Sequence, residues 1–288
     1  MPLQLTHYPA LKLDGLLPRD VWVWTPPTYH AHSNDRFPVI YMHDGQNLFV
    51  PEKSYTQVTW GVAEVITRLS SWGFIQPALV VGIHNTENRV GDYLPGKPFY
   101  SPEGKALLEK FKLEEPEAFD KFTITSDTYL KLIVEEIKPL IDRDFRTRVN
   151  AEDTMVMGSS MGGLISLYAL TQYPGVFGGA GCFSTHWPIM GGLTLPYLWE
   201  NLPMAGKHKI YYDHGTAGYD AEYEPYQQAV DAVMRQKGYV HGVDWMTRCA
   251  PGADHHEIAW RSRIHIALRF FLGNLSENRR SKVSDQTG

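Results

Sequence analysis

The chain contains few cysteines, no long apolar run and no large excess of one charge. Cys182 and Cys249 are the only cysteines among 288 residues, and neither lies in a C-x-x-C pattern, which excludes the common zinc and dithiol redox motifs. Because both lie in or beside apolar stretches, we expect two buried free thiols. No segment approaches the roughly 18 consecutive apolar residues of a membrane-spanning helix, so the sequence predicts none.

The charge balance indicates which partners to expect. The formal net charge is −5, which provides no basic surface for nucleic acid or for an anionic membrane. We therefore expect a small-molecule partner, and neither a nucleic acid nor a membrane. Residues 1–13 lack the basic region and the apolar run of a signal peptide, which predicts a cytoplasmic location. The sequence carries no indication of an oligomeric state.

Hydrophobic patterns alternate between strands and helices through most of the chain. Apolar runs rich in β-branched residues are typical of buried strands, and they alternate with apolar residues at helical spacing. This order predicts an α/β fold with a mainly parallel central sheet flanked by helices. Strands are predicted at 21–25, 37–42, 78–83, 154–157, 179–183, 209–212 and 243–249, and helices at 60–72, 126–141, 164–173, 222–237 and 256–272.

Two stretches interrupt this alternation. Residues 85–125 are polar, contain several prolines and are too long for a plain connection, so we expect a helical insertion that covers the sheet edge or the site like a cap. Residues 184–207 form a second irregular stretch, of the kind from which the loops around a site are built. We expect a single domain over residues 1–275 and a disordered polar tail over residues 276–288.

The pentapeptide Gly158-Ser159-Ser160-Met161-Gly162 matches the G-x-S-x-G nucleophile elbow. It lies between a predicted strand and a predicted helix, which is the context that the elbow requires. Because the turn is tight, side chains two positions before and two after the serine are expected to collide with backbone, and glycine avoids this. The pattern predicts Ser160 as a nucleophile at a helix N-terminus, where developing negative charge is favoured.

A serine nucleophile needs a base and an acid to orient that base. In α/β-hydrolases the acid follows the penultimate strand and the histidine follows the last one. His255 and His256 follow the last predicted strand, and we favour His255 because His256 opens the next helix. Asp213 and Asp220 follow the penultimate strand, and we favour Asp220 because it lies beyond the turn. Glu222 and Glu224 are more distant candidates for the acid.

The oxyanion hole is expected to consist of two backbone N–H groups. One belongs to Met161, directly after the nucleophile, and the other to Gln46, in the loop after the third strand of the fold. Gly45 is expected to permit the sharp turn that aims the Gln46 amide at the site. His30 and His32 have no third ligand nearby, so we interpret them as surface residues rather than a metal site. We expect no cofactor.

Aromatic residues near the irregular stretches are candidates for substrate contacts. Trp187 and His186 fall within residues 184–207, and Trp60 opens a predicted helix. Together with Tyr100 of the insertion, the two tryptophans would suit an aromatic acyl group such as a feruloyl group. Siderophore trilactones and short-chain esters fit the sequence equally well.

The motifs together resemble the putative-esterase family of α/β-hydrolases, which includes feruloyl esterases, enterochelin esterases, S-formylglutathione hydrolase (esterase D) and the mycolyltransferases. The resemblance covers about residues 20–272 and implies an α/β-hydrolase fold with neither metal nor organic cofactor. It rests on segments 41–49, 60–62, 139–142, 158–164, 213–216 and 255–257, and on Trp260.

The same resemblance implies roles for individual residues. Ser160 would be the nucleophile, His255 the base, the carboxylate after Gly215-Thr216 the acid, and the Gln46 amide part of the oxyanion hole. Asp220 lies four residues after Thr216, whereas several relatives carry the acid one or two residues after that pair.

The sequence therefore predicts a serine carboxylic-ester hydrolase that works through an acyl-enzyme. An acyltransferase with the same three residues, in which an alcohol or amine replaces water, is one alternative. A non-catalytic binding protein of the same fold is another.

Overall fold

The computed structural model describes residues 3–119 and 121–273, and these residues form one eight-stranded sheet. The predicted tail, 276–288, lies outside the described residues. The strands are β1 (Leu5–Leu11), β2 (Arg19–Trp24), β3 (Val39–His43), β4 (Leu79–Ile83), β5 (Thr154–Ser159), β6 (Gly179–Phe183), β7 (Lys209–Gly215) and β8 (Trp245–Ala250).

The sheet is mostly parallel, as predicted. Its strand order is β1-β2-β4-β3-β5-β6-β7-β8. β2 pairs antiparallel with both β1 and β4, whereas all the other neighbours pair in parallel. All residues of β3, β4, β5 and β6 are buried, which explains why these strands are continuous apolar runs in the sequence.

Helices cover both faces of the sheet, and the strand residues alternate between the two cores. Val39 and Tyr41 of β3 pack in one core, and Ile40 and Met42 pack in the other. The helices are α1 (Val62–Ser71), α2 (Arg89–Tyr93), α3 (Pro102–Glu114), α4 (Pro116–Phe119), α5 (Ser126–Lys131), α6 (Lys138–Asp144), α7 (Met161–Gln172), α8 (Thr194–Asn201), α9 (Glu224–Gln236) and α10 (Glu257–Leu272), and the π-helical segment Leu132–Ile137 joins α5 to α6.

Two predictions about local structure are wrong. The first strand, β1, was not predicted, because all seven of its residues are exposed or half-buried and its apolar side chains do not alternate. Cys249 is exposed on β8, the edge strand of the sheet, whereas Cys182 is a buried free thiol as predicted.

The described part of the predicted insertion, residues 85–119 and 121–125, contains the helices α2, α3 and α4, as predicted. Asp92 of α2 anchors it to the sheet, because the buried carboxylate accepts from Arg19 Nη2 of β2 at 3.1 Å. Thr86 and Thr125 also donate to this carboxylate, at 3.0 and 2.7 Å. The start of the insertion is thereby fixed beside the ends of β2 and β4. Within the described part of the chain, no helix is both long and apolar enough to cross a bilayer.

Candidate active site

A cavity of about 520 Å³ opens at the carboxyl edge of the parallel strands. Ligands of open α/β sheets bind at this edge, because the loops that leave the strands converge there. The loops after β3, β4, β5 and β8 all contribute to the wall. The lining residues are Asp44, Gln46, Asn47, Lys53, Tyr55, Thr56, Asn85, Arg89, Ser159, Ser160, His255, His256, Glu257 and Trp260.

Ser160 occupies the sharp turn between β5 and α7. Its backbone has φ 58° and ψ −124°, which a residue other than glycine rarely adopts. Backbone hydrogen bonds hold this conformation: the Ser160 N–H donates to the carbonyl of Phe183 at 2.8 Å, and the Ser160 carbonyl accepts from Leu164 and His186 at 3.2 Å each. The serine therefore projects from a fixed turn at the start of α7 into the cavity.

The steric reason for the glycines is only partly the one expected. A Cβ at Gly158 would lie 2.8 Å from the Gly162 backbone, so glycine is required there. A Cβ at Gly162 would make only ordinary contacts of 3.5 Å, so the expected collision two residues after the serine does not occur. The crowded position is the next one, because a Cβ at Gly163 would lie 2.8 Å from Thr185 Oγ1.

His255 lies in the loop between β8 and α10, and its ring is hydrogen-bonded to Asp220. The distance from His255 Nδ1 to Asp220 Oδ1 is 2.6 Å. Aromatic rings surround the imidazole, with Trp260 at 5.1 Å, Tyr223 at 5.9 Å and Tyr219 at 6.0 Å between centroids. The imidazole is thus held by the Asp220 carboxylate and by the aromatic rings around it. His255 and Ser160 line the same cavity.

Asp220 lies in a short 3-10 turn, Gly218–Glu222, beyond the end of β7. Its Oδ2 accepts from the Gly215 amide at 2.6 Å and from the Ser184 hydroxyl at 2.5 Å. Burial raises the pKa of Asp220, but the hydrogen bonds from His255, Ser184 and Gly215 lower it by more, so the net pKa lies below its ordinary value. The carboxyl group is therefore ionised at neutral pH.

The alternative acid, Asp213, has other partners. It is buried within β7, where its Oδ2 lies 2.9 Å from Arg263 Nε and accepts from the Tyr211 hydroxyl at 3.0 Å. Its Oδ1 accepts from the Ser184 amide at 3.3 Å. The structure thus brings Asp220, and not Asp213, to His255.

The neighbouring histidine, His256, was predicted to open the last helix and is the N-cap residue directly before α10. Its Nδ1 accepts from the Ile258 amide at 3.2 Å, which satisfies one of the free N–H groups of the first turn. Because this nitrogen is occupied by the helix, His256 differs from His255, whose partner is a carboxylate.

The two predicted oxyanion amides belong to the segments that follow β5 and β3. Met161 is the first residue of α7, so its N–H is among the amides that have no acceptor within the helix. Gln46 lies on the cavity wall after β3. The left-handed residue of this turn is Asp44, with φ 55°, and not Gly45. Gly45 is required for another reason, because a Cβ there would lie 2.3 Å from the backbone of Gly82 in β4.

An ion pair on the cavity wall was not predicted. Arg89, the first residue of α2, binds both carboxylate oxygens of Asp44, with Nε–Oδ1 at 2.7 Å and Nη2–Oδ2 at 2.8 Å. Asn85 Nδ2 also donates to Asp44 Oδ1 at 2.7 Å. Burial raises the pKa of Asp44, but Arg89 and Asn85 lower it by more, so the net pKa is lowered. The sequence signal was weak, because both partners of Asp44 belong to the irregular insertion.

The comparisons with known proteins identify the family of the chain and its fold. The sequence profile of the family described as "Putative esterase" matches residues 18–271. The chain belongs to this family. The prediction of a carboxylic ester hydrolase with an α/β-hydrolase fold is thereby confirmed at the level of the family. A curated relative, YbbA of Bacillus subtilis (strain 168), is 26% identical over 166 residues, which cover 57% of this chain and 56% of YbbA.

Solved structures share the fold of this esterase at low sequence identity. An IroE-like serine hydrolase from Shewanella oneidensis has a TM-score of 0.69 and 18% identity, over 93% of this chain and 79% of the other. A ferulic acid esterase has a TM-score of 0.65 and 15% identity, over 94% of this chain and 99% of the other. The enterobactin esterase FES from Shigella flexneri has a TM-score of 0.64 and 20% identity, over 94% of this chain and 59% of the other.

The residues predicted to contact substrate are not brought to the cavity of this esterase. Trp187 is 1% exposed and packs in the core, where its Nε1 donates to Gln227. Trp60 is 3% exposed and stacks on Trp260, so it supports the cavity wall from behind. Tyr100 is exposed on the insertion and also lies outside the wall.

His186 is half-buried near the cavity, and its Nδ1 lies 2.6 Å from the Tyr223 hydroxyl. Burial lowers the pKa of His186, and the positive charges of His255, when protonated, and Arg89 lower it as well. His30 and His32 are exposed, as predicted. Over residues 3–119 and 121–273, no three His, Cys, Asp or Glu side chains gather as metal ligands.

Proposed function

We propose that this esterase cleaves carboxylic esters of small molecules with Ser160 as nucleophile, His255 as general base and Asp220 as orienting acid. The observation that carries the proposal is the 2.6 Å contact between His255 Nδ1 and Asp220 Oδ1 in the cavity that Ser160 enters. A serine in a strained elbow, an imidazole and an ionised carboxylate are the three groups that such hydrolysis needs.

The hydrogen bond to Asp220 determines which nitrogen of His255 acts as the base. An ionised carboxylate only accepts hydrogen bonds, so the proton between the two residues belongs to Nδ1 of His255. The other nitrogen, Nε2, then carries the lone pair that removes the hydroxyl proton of Ser160. Asp220 also stabilises the imidazolium that forms when Ser160 attacks the ester carbonyl.

The tetrahedral intermediate carries a negative charge on the former carbonyl oxygen. We propose that the amides of Met161 and Gln46 bind this oxygen, supported by their positions at the start of α7 and on the cavity wall. His255 then protonates the leaving alcohol, and an acyl group remains on Ser160. A water molecule, activated by the same imidazole, releases the acid and restores the serine.

The wall of the cavity combines polar side chains with apolar surface. Three side-chain amides, Gln46, Asn47 and Asn85, line it together with the charged side chains of Lys53 and Arg89. Its aromatic surfaces come from two residues, Trp260 and Tyr55. A volume of about 520 Å³ suits an acyl group of moderate size. Aromatic acyl esters, which the name of the ferulic acid esterase suggests, therefore belong in a first substrate panel.

The test is hydrolysis of p-nitrophenyl esters of increasing acyl length, and of methyl ferulate, by the wild type and by Ser160→Ala. We expect Ser160→Ala to lower kcat by about 10⁶-fold, because the nucleophile is lost. Ser126→Ala is the matched control, since Ser126 is also buried but lies outside the cavity. Retention of more than a few per cent of activity by Ser160→Ala would refute the assignment. Transfer of the acyl group to an added alcohol, at the expense of hydrolysis, would identify an acyltransferase instead.

A further inference from the structure

Ser184 is a fully buried serine directly after β6, and it is not part of the cavity wall. Its backbone has a φ of 41°, which is uncommon for serine. The Ser184 N–H donates to the carbonyl of Asp213 at 2.8 Å, which holds the residue in this conformation. Its side chain thereby points between β7 and α10, toward Asp220.

The hydroxyl of Ser184 has a defined direction, because both lone pairs of its oxygen are occupied. Trp260 Nε1 donates to Oγ at 3.0 Å, and Arg263 Nη2 donates to it at 2.7 Å. Tryptophan N–H and guanidinium groups can only donate. The proton of the hydroxyl is therefore left for the third neighbour, Asp220 Oδ2, at 2.5 Å.

Arg263 is itself fixed by an anion other than Asp220. Its Nε lies 2.9 Å from Asp213 Oδ2, whereas its Nη2 lies 3.9 Å from Asp220 Oδ2. Both Arg263 and Asp213 are nearly inaccessible to solvent. Asp213 thus pairs with the guanidinium, and the negative charge of Asp220 remains available to the imidazole of His255.

We propose that Ser184, held by Arg263 and Trp260, is a positioning residue that fixes the Asp220 carboxylate against His255. This inference rests on the proposed function of the Ser160 site. Asp220 lies in a loop five residues beyond Gly215, and within the described residues its anchors besides His255 are the Gly215 amide and the Ser184 hydroxyl. Without the hydroxyl, Oδ2 keeps one donor, and the carboxylate is free to rotate away from Nδ1 of His255.

The first test compares Ser184→Ala with the wild type in steady-state ester hydrolysis. We expect kcat to fall by about 10- to 100-fold, because a hydrogen bond to a charged group is lost. We expect KM to stay within about two-fold, because Ser184 does not touch the cavity. Ser126→Ala, which also removes a buried hydroxyl, is expected to keep the wild-type kcat. An unchanged kcat in a folded Ser184→Ala protein would overturn the inference.

A second test asks whether Ser184 acts through Asp220. In the Asp220→Asn background, Ser184→Ala is expected to cause no further loss, because the carboxylate that it positions is already gone. The rate of covalent labelling by a fluorophosphonate gives a readout for such slow variants. Independent, multiplying losses from the two substitutions would show a general structural role and overturn the inference.

A third measurement does not depend on turnover. The proton between His255 Nδ1 and Asp220 gives a downfield signal in ¹H NMR, which we expect to move or broaden in Ser184→Ala. If the wild type shows this signal but hydrolyses no ester, the proposed function fails, and the signal still tests the positioning role of Ser184. If Ser184→Ala leaves the signal unchanged, the positioning role is overturned. Should Ser184→Ala not fold, Ser184→Gly removes the same hydroxyl and suits the positive φ.

Discussion

Two aspartates at the carboxyl edge of the sheet each pair with an arginine from a helix, and the two pairs face different surroundings. Asp44 follows β3 and binds Arg89 of α2, while Asp213 lies in β7 and binds Arg263 of α10. The Arg89 side chain is 31% exposed on the cavity wall, whereas the Arg263 side chain is 6% exposed behind Asp220. The same chemical pair thus lines the cavity in one region and is enclosed behind Asp220 in the other.

This difference determines what each pair can do. The Arg89 side chain is partly exposed and lines the cavity although Asp44 fixes its orientation, so we expect it to contact a bound ester. Arg263 is enclosed, and it reaches the reaction only through Ser184 and Asp220. Substitutions in the first pair are therefore expected to change KM, and those in the second to change kcat and stability.

The largest expected effect is on kcat, and it distinguishes Asp220 from the neighbouring buried aspartate, Asp213. Asp220→Asn should lower kcat by about 10⁴-fold with little change in KM, because the amide no longer selects the right tautomer of His255. Asp213→Asn should lower kcat far less, because Asp213 does not contact the imidazole. Steady-state kinetics on one ester decides between them, and a larger loss in Asp213→Asn would show that the acid has been assigned to the wrong residue.

Removal of each arginine sharpens the comparison of the two pairs. Arg263→Met should lower the free energy of unfolding by about 3–5 kcal/mol, because it leaves the carboxylate of Asp213 buried without its partner. Arg89→Met should cost about 1.5–3 kcal/mol, since Asp44 keeps the hydrogen bond from Asn85. Arg89→Met should also raise KM. Urea unfolding measures the loss of unfolding free energy in both variants. Equal losses, together with an unchanged KM in Arg89→Met, would show that the two ion pairs do not differ in role.

The smallest expected effect is on the pH dependence of stability. The pKa of Asp44 is lowered in the folded state. Its contribution to the free energy of unfolding is therefore complete above the unfolded-state pKa of about 3.9, and it is lost as the pH falls through the folded-state pKa. Burial raises the pKa of Asp213 in the folded state. Its contribution to the free energy of unfolding is therefore present below the unfolded-state pKa of about 3.9, and it is lost as the pH rises through the folded-state pKa.

The two substitutions to asparagine should therefore change the pH profile in opposite senses. Asp44→Asn should reduce the loss of unfolding free energy on acidification between about pH 5 and pH 2, and Asp213→Asn should steepen it. Urea unfolding at several pH values gives the two slopes. If both substitutions changed the wild-type slope in the same sense, the assigned directions would be contradicted.

The parts of the molecule that were predicted are those with strong local signals. Buried parallel strands such as β3 and β4 are continuous apolar runs, and the elbow at Ser160 has a motif with matching flanks. His255 follows from the chain order of the fold. The strands and the elbow depend on residues that are close together in the sequence, which is why a single chain suffices to find them.

The parts that were missed depend on contacts between distant segments. Ser184 and Arg263 are 79 positions apart, and Asp44 and Arg89 are 45 apart. No local pattern marks such partners, because their side chains meet only after the sheet has formed. Trp187 was misplaced for a related reason: a tryptophan in an irregular stretch suits either a pocket or a core, and only the tertiary structure shows that it is buried.

We propose that Ser160 is an activated nucleophile, and covalent labelling with a fluorophosphonate followed by peptide mass spectrometry is the sharpest test of this role. We expect one adduct, on Ser160, that is absent in Ser160→Ala and retained in Ser126→Ala. A wild-type protein that stays unlabelled, or an adduct on another serine that persists in Ser160→Ala, would contradict it.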